Sequence, residues 1–196
     1  PFGSRGADGG SEDKVIPLPD RARSGDGDGD EVATPNSPPR AATLGDGPEV
    51  GLTQIQLADK NFDKDHFLAG ARAAFEMVLN AYAAGDTKAL RPLLSNDVYE
   101  NFAGAIAERA KAGHTLETTL VGITEAAIVD AELQNKTAFI TVKFVSEQVN
   151  VVRDKDGNVV EGDPNQVTRI TDIWTFARNT RSRDPNWTLV ATQSPS

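Results

Sequence analysis

The chain has 196 residues, of which 38% are hydrophobic and 25% are charged, and its net charge is −9. This length accommodates one folded domain with a tail. The acidic balance argues against nucleic acid as a partner, because binding to a phosphate backbone depends on Lys and Arg. The sequence contains no Cys, which excludes disulfides, thiolate nucleophiles and Cys-based zinc sites.

Residues 1–51 are predicted to form a solvated acidic linker. They contain ten acidic and five basic residues together with many Gly and Pro, and their apolar residues occur only in ones and twos. Such a composition cannot form a hydrophobic core. The acidic tract from Gly25 to Glu31 resembles the start of an EF-hand, but it lacks the Gly and Glu that a calcium loop needs at its sixth and twelfth positions. The folded domain is therefore expected over residues 52–196.

A long amphipathic helix is predicted from Phe67 to Tyr82, because apolar residues recur there at steps of three and four. Asp63 or Asp65 can cap its first turn by accepting backbone N–H bonds. Gly85 can end it in the left-handed backbone conformation.

Two further helical segments are predicted before the first strand. Asp86 opens a short helical turn that Pro92 limits, and Ser95 caps a helix that ends at Gly113. The buried stripe of this last helix is formed by Tyr99, Phe102, Ala105, Ile106 and Ala110.

Alternating apolar residues and frequent β-branched side chains predict strands after Gly113. A strand over 116–133, with a bulge near Gly122, pairs antiparallel with one over 138–152 across the turn at residues 134–136. Strands around 170–176 and 187–190 follow. Helices followed by four meandering strands predict an α+β fold, in which the N-terminal helices pack on a curved four-stranded antiparallel sheet.

Five blocks of residues, in this order along the chain, resemble one protein family. They are Phe67-Leu68-x-Gly70-Ala71-x-x-Ala74-Phe75-Glu76, Ala81-Tyr82-Ala83-x-Gly85-Asp86, Leu90-x-Pro92-Leu93-Leu94, Thr171-Asp172-Ile173-Trp174-Thr175-Phe176-Ala177-Arg178 and Asp184-Pro185-Asn186-Trp187-x-Leu189. The family is the Tim44-like domain, which contains the C-terminal domain of the peripheral subunit of the mitochondrial presequence translocase and bacterial membrane-associated relatives. The resemblance covers Leu52 to Thr192. It implies a cystatin- or NTF2-like fold with an apolar pocket, docking at an inner membrane during protein translocation, and no catalytic residues.

The resemblance also implies a location and a set of partners. The long charged region that precedes this domain in the mitochondrial member is replaced here by a short acidic tail, which is closer to the bacterial relatives. We therefore expect a non-enzymatic adaptor, tethered by a helix upstream of Pro1, at a bacterial cytoplasmic membrane rather than a mitochondrial inner membrane. Its expected partners are the membrane lipid surface and translocon or client proteins, with no cofactor and no metal. The oligomeric state is not predicted.

A pocket between helix and sheet is the first candidate site. The residues predicted to line it are Phe75, Val78, Tyr82, Ile106, Phe144, Asp172 and Trp174. The alternative is that this set is simply core. Asp172 alternates with Ile170 and Trp174, so an inward-facing carboxylate here, with Tyr82, would suit a pocket enzyme or a protein that binds a small apolar ligand. If backbone groups or an Arg instead satisfied the Asp172 carboxylate, the enzyme interpretation would be excluded.

Two segments are candidates for contact with a membrane or a partner. Leu52 and Ile55 fall on one face of a short helical stretch, which could instead pack onto the domain. The hairpin that contains Arg178, Arg181 and Arg183 is basic in an otherwise acidic protein, although it could also be merely solvated. Each Arg close to an anionic surface contributes about 1 kcal/mol to binding.

Overall fold

The computed structural model describes residues 47–195, so the predictions for residues 1–46, including the linker and the acidic tract, lie outside the described residues. The folded part begins earlier than predicted. Its first helix starts at Pro48 rather than near Leu52. Proline is well suited to this position because its missing N–H would have no partner in the first turn of a helix.

Four helices precede the sheet in the described residues, and their bounds are α1 (Pro48–Ala58), α2 (Lys64–Ala84), α3 (Thr87–Leu90) and α4 (Asn96–Lys111). The predicted caps are confirmed. Asp63 accepts a hydrogen bond from the backbone N–H of His66 at 2.7 Å, and Gly85 ends α2 with a φ of 70°. Asp86 and Ser95 cap α3 and α4 in the same manner as Asp63.

The strands are β1 (Thr115–Gln134), β2 (Thr137–Arg153), β3 (Val159–Gly162), β4 (Thr168–Asn179) and β5 (Thr188–Gln193). The sheet order is β1-β2-β4-β5, and every neighbouring pair is antiparallel. β3 pairs antiparallel with the C-terminal end of β2. The α+β prediction is thus confirmed, with β3 as an additional short strand that the sequence did not predict. Its four residues are too few to show a period.

Bulges in β1 bend the sheet. The register between β1 and β2 shifts between residues 120 and 122, between 123 and 125, and between 128 and 130. The bulge predicted near Gly122 is therefore confirmed, and two more follow it. Each bulge inserts a residue that has no partner, which increases the local bend and twist.

One side of the sheet faces the helices and forms the core. On β2, Ile140 and Val142 lie on this side, and their partners on β4 are Phe176 and Trp174. All four side chains are buried. The alternation predicted for these two strands is therefore confirmed, and it directs one residue in two toward the helices.

Both outer strands are covered over part of their length. On β5, Leu189 exchanges backbone hydrogen bonds of 2.9 Å with Leu93 and Ser95. On β1, helix α1 packs so closely that Gly51 lies against the carbonyl oxygen of Ala131. None of the helices in residues 47–195 is long and apolar enough to cross a membrane.

Candidate functional site

Most of the predicted pocket residues fill the core. The rings of Phe75 and Phe144 stack at 4.5 Å between centroids, and Phe75 lies 4.7 Å from Trp174. These rings and Val78 are buried on all sides. Ile106 is only partly buried and lies beside Gly85, at the end of α2. The contacts among the three rings are those of close packing in a core.

A small cavity lies further along the same side of the sheet. It is lined by Leu79, Tyr82, Leu116, Thr118, Gln148, Asn150, Ile170 and Asp172. Of the predicted pocket residues, the structure therefore brings only Tyr82 and Asp172 together here. The cavity volume is about 10 Å³, which is space for about one water molecule.

The cavity wall is mainly polar where β2 contributes to it. Gln148 donates to Ser146 at 2.8 Å, and Asn150 donates to Gln148 at 3.0 Å. The hydroxyl of Ser194 donates to the carboxylate of Asp172 at 2.9 Å, and Asp172 is only 2% exposed. Sequence reasoning missed Gln148 and Asn150, although both follow Phe144 at even steps along the strand and therefore share its face.

Tyr82 is also joined to the end of α4. The guanidinium of Arg109 lies 5.1 Å from the Tyr82 ring, and its Nη2 donates to the backbone carbonyls of Tyr82 and Ala83 at 2.8 and 3.2 Å. Burial raises the pKa of the Tyr82 phenol above its usual range, and the charge of Arg109 offsets part of this rise. Burial lowers the pKa of Arg109. The pair fastens α4 to the last turn of α2.

The candidate membrane residues of α1 are not on the surface. Leu52 and Ile55 face the sheet and belong to the core, and Ile55 is only 1% exposed. The prediction that they contact a membrane is corrected for this conformation, because helix α1 uses that face to cover β1. The alternative interpretation, packing onto the domain, is the one observed.

The three arginines of the β4–β5 hairpin have different environments. Arg178 pairs with Asp59 at 2.8 Å, with the two side chains only 14% and 16% exposed, and it also donates to the carbonyls of Ser182 and Asp184. Arg178 is thus a structural residue, and its assignment to a contact surface is corrected. Arg181 and Arg183 are exposed.

No group of three or more His, Asp or Glu side chains in residues 47–195 is arranged to hold a metal ion. The fold and this site define a small α+β domain with a filled core, a cavity the size of one water molecule and a basic hairpin. The chain belongs to the Tim44-like domain family, whose sequence model matches residues 49–194.

Similar proteins include mitochondrial import inner membrane translocase subunits TIM44. The human protein is 28% identical over 142 residues, which is 71% of this chain and 31% of the relative. The mouse protein is 25% identical over 142 residues, with the same coverage. The probable subunit tin-44 of Caenorhabditis elegans is 26% identical over 143 residues, or 71% of this chain and 34% of the relative. The chain spans about a third of the length of these curated relatives.

Solved structures that resemble the fold have low sequence identity. The intermembrane space region of the chloroplast protein ARC6 has a TM-score of 0.47 at 12% identity, covering 65% of this chain and 95% of that one. An NTF2-like superfamily protein from Salmonella enterica has a TM-score of 0.44 at 12% identity, covering 68% of this chain and 94% of that one.

Proposed function

We propose that this chain is a non-enzymatic, membrane-associated adaptor in protein translocation or membrane-protein assembly at an inner membrane. The observation that carries the proposal is the family match over residues 49–194, which includes nearly all of the described residues. The named relatives are subunits of mitochondrial import translocases of the inner membrane. The partners that follow from this assignment are a translocon or client proteins.

The cavity supports an adaptor over a pocket enzyme or a binder of small apolar ligands. An enzyme needs room for a substrate beside its acid or base, and the space at Asp172 and Tyr82 has the volume of about one water molecule. The carboxylate of Asp172 is engaged by the hydroxyl of Ser194. No observation favours the pocket alternative as a second function.

The names of the relatives describe subunits of an inner membrane translocase, which supports an inner membrane as the location of this chain. The preference for a bacterial cytoplasmic membrane stays a prediction, because these relatives are mitochondrial.

The proposal is tested by photocrosslinking the chain in membranes of its host. A photoreactive residue placed at exposed Met77 on α2 leaves both the core and the hairpin untouched. We expect crosslinks to subunits of a translocase or an insertase. Crosslinks to soluble enzymes alone would overturn the proposal. So would an enzymatic turnover of the wild-type chain that the substitution Asp172→Asn abolishes.

A further inference from the structure

The sheet has a second face, which lies on the side away from the helices and which we call the outer face. On β2 it carries Phe139, Val145, Val149 and Val151, and on β4 it carries Ile173. An antiparallel sheet with one face in water usually has polar residues on that face, whereas a strand covered on both sides is apolar on both. The composition of β2 is therefore that of a strand with a covering layer on each side.

The four helices supply only one of these layers. Phe139 and Val145 are each 3% exposed, yet neither belongs to the core cluster that the helices cover. Opposite Phe139 on the outer face lie Ala177 of β4 and Glu132 of β1. Side chains on one face of a sheet stand roughly perpendicular to it, so they cover a neighbour at its flanks rather than at its tip. The outer face thus fits a cover that does not come from the helices.

The polar side chains among these apolar residues are paired with one another. The hydroxyls of Thr141 and Thr175 lie 2.9 Å apart, and one donates to the other. Lys143 forms an ion pair with Glu125 at 3.5 Å. A segment that covers the outer face would meet apolar surface and satisfied polar groups, so it needs few hydrogen bonds of its own.

Two carboxylates at the β1 side of the outer face form no ion pair with any Lys or Arg in residues 47–195. They belong to Asp130 and Glu132, which lie opposite Thr141 and Phe139 of β2, and we call them the rim carboxylates. A cationic residue that reaches them would gain a modest ion pair.

One stretch of the chain ahead of the described residues has the composition of such a cover. In the first 46 residues, only here do three large aliphatic side chains fall within four positions, and they are Val15, Ile16 and Leu18. Pro17 and Pro19 alternate with them. Proline favours an extended backbone and has no N–H to donate to a sheet, so this stretch is suited to contact through its side chains.

The charges and the position of this stretch also suit the outer face. Arg21 and Arg23 follow it and are opposite in sign to the rim carboxylates. The chain enters the fold beside them, because Gly51 in the first turn of α1 lies against Ala131, the residue between the two. The residues from 19 to 46 can span up to about 90 Å, against about 15 Å for the width of four neighbouring strands.

We propose that residues 14–23 dock on the outer face of the same chain, with their aliphatic side chains over Phe139, Val145 and Ile173 and their arginines at the rim carboxylates. The tether holds the segment at an effective concentration of about 1 mM, so a weak contact is enough to keep it docked. The inference concerns contacts within this chain and does not depend on the proposed function.

The inference is tested by paramagnetic broadening of methyl NMR signals in the full chain. Because the sequence has no Cys, the substitution Ala22→Cys allows one nitroxide label to be attached within the docking segment. We expect the label to broaden the signals of Val145 and Ile173. The signal of Met77, which is exposed on α2 on the other side of the sheet, should be broadened much less.

The matched control carries the label at Ser37→Cys, which is closer in the chain to Gly47 than Ala22 is. A segment that only moves about its point of attachment would broaden the outer face more from the nearer position. Docking predicts the opposite order, with stronger broadening from the label at residue 22.

The apolar half of the contact is tested in the chain labelled at residue 22. Val15→Ser, Ile16→Ser and Leu18→Ser together should abolish the broadening of Val145 and Ile173, because the aliphatic side chains are lost while the length and charge of the segment are kept.

The charged half is tested on the folded domain. Asp130→Asn with Glu132→Gln should lower the ratio of docked to free segment about fivefold, since two modest ion pairs are lost. The matched control is Glu76→Gln with Glu100→Gln, which removes the same charge from exposed positions on α2 and α4 and should leave the ratio unchanged.

Four outcomes would overturn the inference. They are no broadening at the outer face, broadening as strong from residue 37 as from residue 22, an unchanged signal in the triple Ser variant, and equal effects of the two charge variants. A fifth would assign the outer face to a second copy of the chain. In that case broadening would arise only between labelled chains and separate isotope-enriched chains, and sedimentation would show a dimer.

Discussion

The side chain of Arg109, on α4, contacts the end of α2. Its guanidinium donates to the carbonyls of Tyr82 and Ala83 at the end of α2, and the carbonyl of Tyr82 also accepts from the backbone N–H of Gly85 at 3.2 Å. The charge of Arg109 suits the negative end of the helix dipole. We expect Arg109→Ala to lower the free energy of unfolding by about 2 kcal/mol, as measured by urea denaturation. Arg72→Ala, on the exposed side of α2, should change it by less than about 0.5 kcal/mol. Equal effects of the two substitutions would contradict this role.

We expect Tyr82 to titrate at a higher pH than an exposed tyrosine does, because burial raises the pKa of its phenol. The chain has two tyrosines, so a Tyr99→Phe variant reports Tyr82 alone in an ultraviolet absorbance titration. We expect its midpoint above pH 10.0, the value of an unperturbed phenol. A midpoint at or below that value would contradict burial of the phenol.

The raised pKa of Tyr82 also predicts how stability depends on pH. The folded state holds the phenol proton more tightly than the unfolded state does. Its contribution to stability is therefore complete below the unfolded pKa and is lost as the pH rises through the folded pKa. Above about pH 10 the wild type should lose stability more steeply than Tyr82→Phe, as followed by urea denaturation at several pH values. Parallel curves for the two proteins would rule out this contribution.

At the scale of elements, the contact between α1 and β1 depends on one glycine. A Cβ atom at Gly51 would overlap the carbonyl oxygen of Ala131, so the helix could not approach the strand. Gly51→Ala should displace α1, expose Leu52 and Ile55, and lower the free energy of unfolding by about 2 to 3 kcal/mol.

The matched control for this substitution is Gly70→Ala in α2, where a Cβ would find no atom within 4 Å. It should raise the free energy of unfolding by about 0.5 to 1 kcal/mol, because Ala restricts the unfolded chain and favours helix. Opposite signs for the two variants in chemical denaturation are the expected result. A stabilising Gly51→Ala would show that the helix does not depend on this close approach.

At the scale of the whole molecule, one core connects the elements. Its buried residues come from all four helices and from β1, β2, β4 and β5. Phe75→Ala should lower the free energy of unfolding by about 3 to 5 kcal/mol, because Phe75 lies between Phe144 and Trp174. Transitions followed by tryptophan fluorescence and by circular dichroism should coincide. Met77→Ala, exposed on the same helix, should have little effect, and separate transitions would contradict a single core.

Much of the fold could be predicted from local patterns. The caps at Asp63, Asp86 and Ser95, the stop at Gly85 and the alternation along β2 and β4 all depend on residues close together in the chain. The length of α1 and the existence of β3 were not predicted. The outer face of α1 carries exposed Val50 and Leu57, which blurs its apolar periodicity, and β3 has only four residues.

The candidate site could be predicted only in part. The sequence placed Tyr82 and Asp172 on the faces that meet between helix and sheet, and both line the cavity. It left open whether Phe75, Phe144 and Trp174 line a pocket or pack as core, and in the structure they belong to the core. Whether facing side chains leave a void depends on their volumes and on the bend that three bulges introduce, and neither is a local property.

The sequence by itself determined the kind of each main element, the order of helices before strands and membership of the Tim44-like domain family. The tertiary structure decided which side chains are buried, which are paired and which remain exposed. It buried Leu52 and Ile55, paired Arg178 with Asp59, and left Arg181 and Arg183 exposed. The physical reason is that periodicity orients a side chain relative to its own helix or strand. Exposure and charge pairing depend on segments that arrive from elsewhere in the chain.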